Sequence, residues 1–138
     1  MSVSTRTAEA DDLPFLGAVD RHVTEQELAH VVAAGRVLVA EEGIAPIGLL
    51  RWGMFWDAVP FMNLLFVLPE HRSRGAGTLL VETWERAQAA AGHALVLTST
   101  SAAETAQHLY RRLGYVDSGS LLLPDEPTEL VLRKHLAR

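Results

Sequence analysis

Phe61-Met62-Asn63-Leu64-Leu65-Phe66-Val67-Leu68-Pro69-Glu70-His71-Arg72-Ser73-Arg74-Gly75-Ala76-Gly77-Thr78-Leu79-Leu80 decides how this chain is read. Eight mostly apolar residues, Phe61 to Leu68, predict a buried strand closed by Pro69. A basic, glycine-bearing loop follows, and then a helix reaching Ala91 before Gly92. The first amides of a helix have no intrahelical acceptor and the aligned peptide dipoles place partial positive charge there. Arg72 and Arg74 add full charges. Gly75 and Gly77 remove the Cβ atoms that would keep backbone and anion apart. The stretch is therefore a candidate phosphate cradle.

Around it, 138 residues with 49% hydrophobic and 21% charged side chains predict one globular domain over the whole length. A formal net charge of -5 disfavours a general nucleic-acid binder, which needs a basic face. The local His71-Arg72-Arg74 cluster suits a small anion. No cysteine is present, so disulfides and thiol catalysis are excluded. The N-terminus lacks an apolar signal core and no run is long enough to span a bilayer, which makes a cytoplasmic protein with no membrane partner the expectation. Six histidines show no metal-binding spacing, and no metal is expected.

Along the chain, Val3 to Thr7 predicts a strand. Asp11 or Asp12 caps a helix to Val19, and Thr24 with Glu27 forms a capping box for a second helix ending at Gly35. Arg36–Glu41 and Ile44–Trp56 predict a hairpin, with Asp57–Pro60 as the next turn. The helix after the cradle is expected to bury Leu80, Trp84, Ala87 and Ala91. Ala94–Leu97 predicts a strand, and Ser101 with Glu104 a capping box for a helix burying Ala106, Leu109, Tyr110 and Leu113 up to Gly114. Gly119–Leu123 and Glu129–Leu132 close the chain as two strands. The order predicts an α/β domain with a mixed sheet and a right-handed crossover from Phe61 to Leu97.

Two nucleotide motifs fail. Gly77 is followed by Thr78 and Leu79 rather than by Lys and Ser or Thr, and the third glycine of a dinucleotide fingerprint is replaced by Leu80. The run Leu65 to Gly77 instead resembles the acyl-CoA pyrophosphate loop of the GNAT N-acetyltransferase superfamily. Ala106-Gln107-His108-Leu109-Tyr110-Arg111-Arg112-Leu113-Gly114-Tyr115 is similar to that family's second signature.

The resemblance implies a GNAT-like fold with a mixed central sheet of about six or seven strands and helices on both faces. It implies acetyl-CoA as cosubstrate, with the pantetheine arm along Leu65, Phe66 and Val67. The pyrophosphate would lie on Arg72, Ser73, Arg74, Gly75, Ala76, Gly77 and Thr78. It implies direct attack of an amine on the thioester, a backbone N–H near Leu65 or Phe66 for the oxyanion, and Tyr110 as general acid. A tyrosine of pKa about 10 stays protonated at neutral pH beside a leaving thiol of about 8.5.

Two positions depart from the family pattern. Asn63 stands where many members carry a glutamate base, and an amide cannot accept a proton, so a water held by Asn63 is the favoured relay, the alternatives being Glu25, His22 or Asp57 as base or an acceptor amine that is already weakly basic. Ala103 replaces an asparagine that bonds the pantetheine arm, which leaves Ser101 as a partial substitute. Trp52, Phe55, Trp56 and Asp57, with His22 and Glu25, form the expected acceptor region. The activity expected is acetyl transfer to a primary amine of a small molecule or peptide. The alternative is a non-catalytic acyl-CoA sensor of the same fold. The acceptor's identity and the general base stay open, and a homodimer is compatible with the resemblance.

Overall fold

The computed structural model describes residues 2–137. In chain order they form β1 (Val3–Thr7), a 3-10 turn leading into α1 (Leu13–Val19), α2 (Glu25–Ala33), β2 (Val37–Glu42), β3 (Ala45–Phe55) and β4 (Val59–Val67). A second 3-10 turn, Pro69–His71, precedes α3 (Ala76–Ala90), β5 (Leu95–Ser101), α4 (Ala106–Arg112), β6 (Val116–Leu121) and β7 (Glu129–His135). The strands form a seven-stranded mixed sheet in the order β1-β2-β3-β4-β5-β7-β6. β1, β2 and β3 pair antiparallel, β4 and β5 pair parallel at Phe61↔Leu97 and Met62↔Thr98, and β7 is antiparallel to both β5 and β6.

The chain divides into two compact units. The first holds the residues up to Trp52 together with Leu64–Trp84. Its core is made where alternate strand positions meet helices: Val37, Val39 and Leu49 pack with Leu16 of α1 and with Leu28 and Val32 of α2. The alternation of β3 puts Trp52 on the opposite face from Leu49, and there its ring lies 6.3 Å from that of Trp84 on α3. Helices thus cover both faces of the sheet. Thr24 caps α2 by accepting from the Glu27 amide at 3.1 Å, as the sequence predicts. Gly35, at φ 75°, turns the chain so that the Arg36 N–H reaches back to the Val31 carbonyl.

The second unit holds Gly53–Asn63 and the chain from Glu85 on. β5 pairs with β7 over its whole length, from Leu95↔His135 to Ser101↔Glu129. α4 packs on β5 with Tyr110 buried, and ends at Gly114 with φ 99°. β6 is a sheet edge on which all six residues are exposed.

Several expected elements shift. The carboxylate of Asp12 does not cap α1; it accepts from the Glu9 amide and from Arg6. The turn expected over Asp57–Pro60 lies instead at 56–58, with Trp56 and Asp57 at positive φ, so β4 starts at Val59 and contains Pro60. The buried stripe of α3 runs through Leu80, Val81, Trp84, Glu85 and Gln88, leaving Ala87 and Ala91 exposed. β5 extends to Ser101, which removes the predicted capping box: Ser101 Oγ accepts instead from the Ala103 amide. β6 covers Val116–Leu121 rather than Gly119–Leu123, because β7 reaches back to His135 and supplies partners from Val116 onward.

Candidate functional site

In the first unit, the chain leaves β4 through one bond, from the Leu68 amide to the Ile47 carbonyl at 2.8 Å. It then folds tightly, with His71 N–H on Leu68 and Arg72 N–H on Pro69. Ser73 and Gly75 take left-handed conformations, φ 64° and 88°. The first bond of the α3 ladder is Leu79 N–H to Gly75 carbonyl at 2.9 Å, so the amides of Ala76, Gly77 and Thr78 lie in the turn that has no intrahelical acceptor. The space where a Gly75 side chain would begin is open. A diphosphate fits this arrangement: free first-turn amides, a helix dipole and no Cβ in the way.

The two arginines play different parts. Arg72 Nε donates to the Val67 carbonyl at 2.7 Å, and its guanidinium sits 5.4 Å from the centre of the Phe66 ring. Arg72 thereby splints the loop to the last residues of β4 and occupies a carbonyl of the segment expected to meet the pantetheine arm. Arg74 reaches outward to Glu42 on β2, which also stands 3.6 Å from His71 Nδ1. A cavity of about 570 Å³ opens beside Arg74, Gly75, Thr78 and Leu79, with Val3, Glu42 and Glu82 also on its wall. Leu65, Phe66 and Val67 are half-buried. Gly48 faces them so closely that a Cβ there would lie 2.7 Å from the Phe66 carbonyl oxygen.

In the second unit, Tyr110 is 5% exposed. Burial pushes its phenol up to about 12, with the Thr98 hydroxyl acting in the opposite direction. Thr98 itself donates to the Met62 carbonyl at 3.0 Å in the buried interior. Asn63 follows on β4 and is exposed, its Nδ2 close to Gly53. Ser101 ends β5 with its hydroxyl turned to its own loop.

The expected acceptor residues are drawn from both compact units. Trp52 belongs to the first unit, packed on Trp84 and under the Arg36 guanidinium at 5.5 Å. Phe55, Trp56 and Asp57 belong to the hairpin tip of the second unit, where the Phe55 ring meets that of Trp56 at 4.6 Å, tilted by 44°, and lies 6.1 Å from Phe61. His22 and Glu25 are exposed in the first unit, and the His22 amide donates to Asp20.

Three groups escaped the sequence reading. Asp20 and Arg51 form a buried ion pair at 2.6 Å that ties the end of α1 to β3. Thr98 stands beside the Tyr110 phenol. Glu85 joins Tyr115 and Lys134 in a buried cluster. Glu85 had a signal: it sits at i+4 from Val81 in the apolar stripe, where a carboxylate requires a partner. Among the described residues no group of three or more His, Cys, Asp or Glu side chains is arranged to hold a metal, and no helix is long and apolar enough to cross a membrane.

The family model described as the acetyltransferase (GNAT) domain matches residues 33–117. No curated protein sequence matches the chain. Among solved structures, a GNAT-family acetyltransferase from Bacillus cereus superposes with a TM-score of 0.83 at 20% identity, covering 100% of both chains. Ard1 from Thermoplasma volcanium gives 0.87 at 12% identity, again over 100% of both chains. N-acetylglutamate synthase from Neisseria gonorrhoeae, solved with coenzyme A and N-acetyl-glutamate, gives 0.85 at 17% identity, over 100% of this chain and 36% of that one. At these identities the likeness is one of fold.

Proposed function

Because the chain belongs to the GNAT family of acetyltransferases and is therefore an acetyl-CoA-dependent N-acetyltransferase, we propose that it transfers acetyl to a primary amine of a small molecule or peptide by direct attack. The observation that carries this reading is the left-handed turn at Ser73 and Gly75 opening onto the unbonded first-turn amides of α3.

Acetyl-CoA supplies the acyl group as a thioester. The amides of Ala76, Gly77 and Thr78 hold its pyrophosphate, with Arg74, 60% exposed, leaving Glu42 for the phosphates. The backbone of Leu65 and Phe66 receives the pantetheine arm and gives an N–H to the oxyanion as the amine attacks. Tyr110, kept protonated by burial, hydrogen-bonds the departing thiolate and passes its phenolic proton to it, and the proton lost by the amine returns through water to the phenol, so that amine and thioester give amide and free thiol. Asn63 accepts no proton and holds the water that relays one away from the amine. Deprotonating an alkyl amine of pKa about 10.4 at pH 7 requires about 4 to 5 kcal/mol, so the rate rises with pH up to the acceptor's own pKa.

The test is release of free CoA thiol from acetyl-CoA on a panel of alkyl amines, amino acids and short peptides with free N-termini. Turnover on at least one class, reduced in Tyr110→Phe, is the expected result. Calorimetric binding of acetyl-CoA with no turnover on any class would replace this reading with a non-catalytic acyl-CoA sensor.

A further inference from the structure

We infer that Glu85 is a positioning residue for Tyr110, acting through Tyr115. The inference rests on the reading of Tyr110 as the general acid and deepens it. Glu85 lies on the buried stripe of α3 with its side chain 11% exposed, and both carboxylate oxygens are used. Oε2 accepts from the Tyr115 hydroxyl at 2.8 Å, and Oε1 accepts from Lys134 Nζ of β7, also at 2.8 Å. The same ammonium stands 5.8 Å from the centre of the Tyr115 ring. Gly114, at φ 99°, turns the chain beneath this lysine.

Tyr115 is pinned at its other end to Tyr110. Its amide donates to the Tyr110 carbonyl at 3.0 Å, and the two rings meet at 5.9 Å with planes tilted by 59°. Lys134 therefore fixes Glu85, Glu85 fixes the Tyr115 hydroxyl, and the Tyr115 ring fixes the side chain that carries the acid. Stability alone does not call for such a cluster. Well-packed apolar side chains of similar volume commonly replace a buried ionic group with no loss of stability, whereas a hydrogen-bonded hydroxyl defines an orientation that an apolar ring leaves free.

The experiment compares Tyr115→Phe, the apolar triple variant Glu85→Leu/Tyr115→Phe/Lys134→Met, and Tyr110→Phe, all well below their melting temperatures. Tyr115→Phe and the triple variant should lower kcat about tenfold through misplacement of the acid, with KM for acetyl-CoA within about twofold of the parent value. The triple variant should melt no lower than Tyr115→Phe. If either variant folds and keeps kcat within about twofold, the inference is overturned.

A second readout does not depend on turnover. The chain has two tyrosines, so in 3-fluorotyrosine-labelled Tyr115→Phe the one remaining resonance reports Tyr110 and assigns its line in the parent. Glu85→Leu/Lys134→Met, which keeps both tyrosines, should shift or broaden that line, and an unchanged line overturns the inference. Full activity in Tyr110→Phe would instead remove the general-acid reading, while the fluorine line still reports whether Glu85 restrains Tyr110.

Discussion

Glu42 Oε2 stands 3.9 Å from Arg74 Nη1, tying the outer arginine of the candidate phosphate loop to the end of β2. The arginine is drawn away from the anion it is suited to hold, so binding of a diphosphate competes with this pair. A solvent-exposed ion pair is worth up to about 1 kcal/mol. Glu42→Gln should therefore tighten CoA about two- to fivefold in calorimetry at low salt, with the gain shrinking as salt screens the pair. Unchanged or weaker binding would show that Arg74 takes no part.

Gly75 adopts φ 88° with open space around its missing side chain. A substitution there meets backbone strain of about 1–2 kcal/mol rather than a clash. Gly75→Asn, a residue that tolerates the left-handed region, should keep the fold and lose little CoA affinity. Gly75→Glu should keep most of the melting temperature and lose CoA affinity by about tenfold or more, since its carboxylate faces the diphosphate. Equal affinity in the two variants would argue against a phosphate at this turn.

Tyr110 carries a phenol pushed up to about 12 by burial. Its proton is retained across the working range, so it contributes no alkaline limb below pH about 10. Tyr110→Phe should lower kcat about a hundredfold, the low end for loss of a general acid, and leave the shape of the pH profile unchanged. An alkaline limb near pH 9 that disappears in the variant would contradict the assignment.

Asp20 and Arg51 bury a carboxylate and a guanidinium in contact at 2.6 Å. Removing one partner strands the other charge, so Arg51→Met should destabilise by about 3–5 kcal/mol in urea unfolding. Asp20→Leu/Arg51→Met should recover most of that loss. A single variant as stable as the double would show that the pair is not coupled.

Asp12 receives two hydrogen bonds of 2.7 Å from Arg6, which hold its carboxyl below the ordinary range. A depressed folded-state pKa contributes stability that is present above the unfolded value of about 3.9 and is lost as pH falls through the folded one. Asp12→Asn should be less stable than the parent at pH 7, and the gap should narrow as pH falls below the unfolded value of about 3.9. Parallel stability curves down to pH 2 would refute the linkage.

The parts legible from sequence were those fixed by local chemistry. Thr24 and Gly35 bound α2 where capping and left-handed geometry place them, and the Arg72–Gly77 loop opens α3. The departures come from tertiary partners. Asp12 is pulled from its cap by Arg6 on β1, six residues back, and Ser101 is drawn into β5 by pairing with Glu129. Asp20–Arg51 and Glu85–Tyr115–Lys134 join residues tens of positions apart, a separation at which a single sequence carries no pairing signal. Arg74 shows the same limit: its charge was plain, and its direction was set by Glu42.

The hairpin between β3 and β4 turns on Trp56 and Asp57, at φ 55° and 58°, with Trp56 81% exposed. Both central positions of such a turn favour Asn and Gly, and a bulky ring gains nothing from water that offsets the strain. Replacing the pair with Asn-Gly should raise thermal endurance, so hardiness does not account for the two residues at this tip.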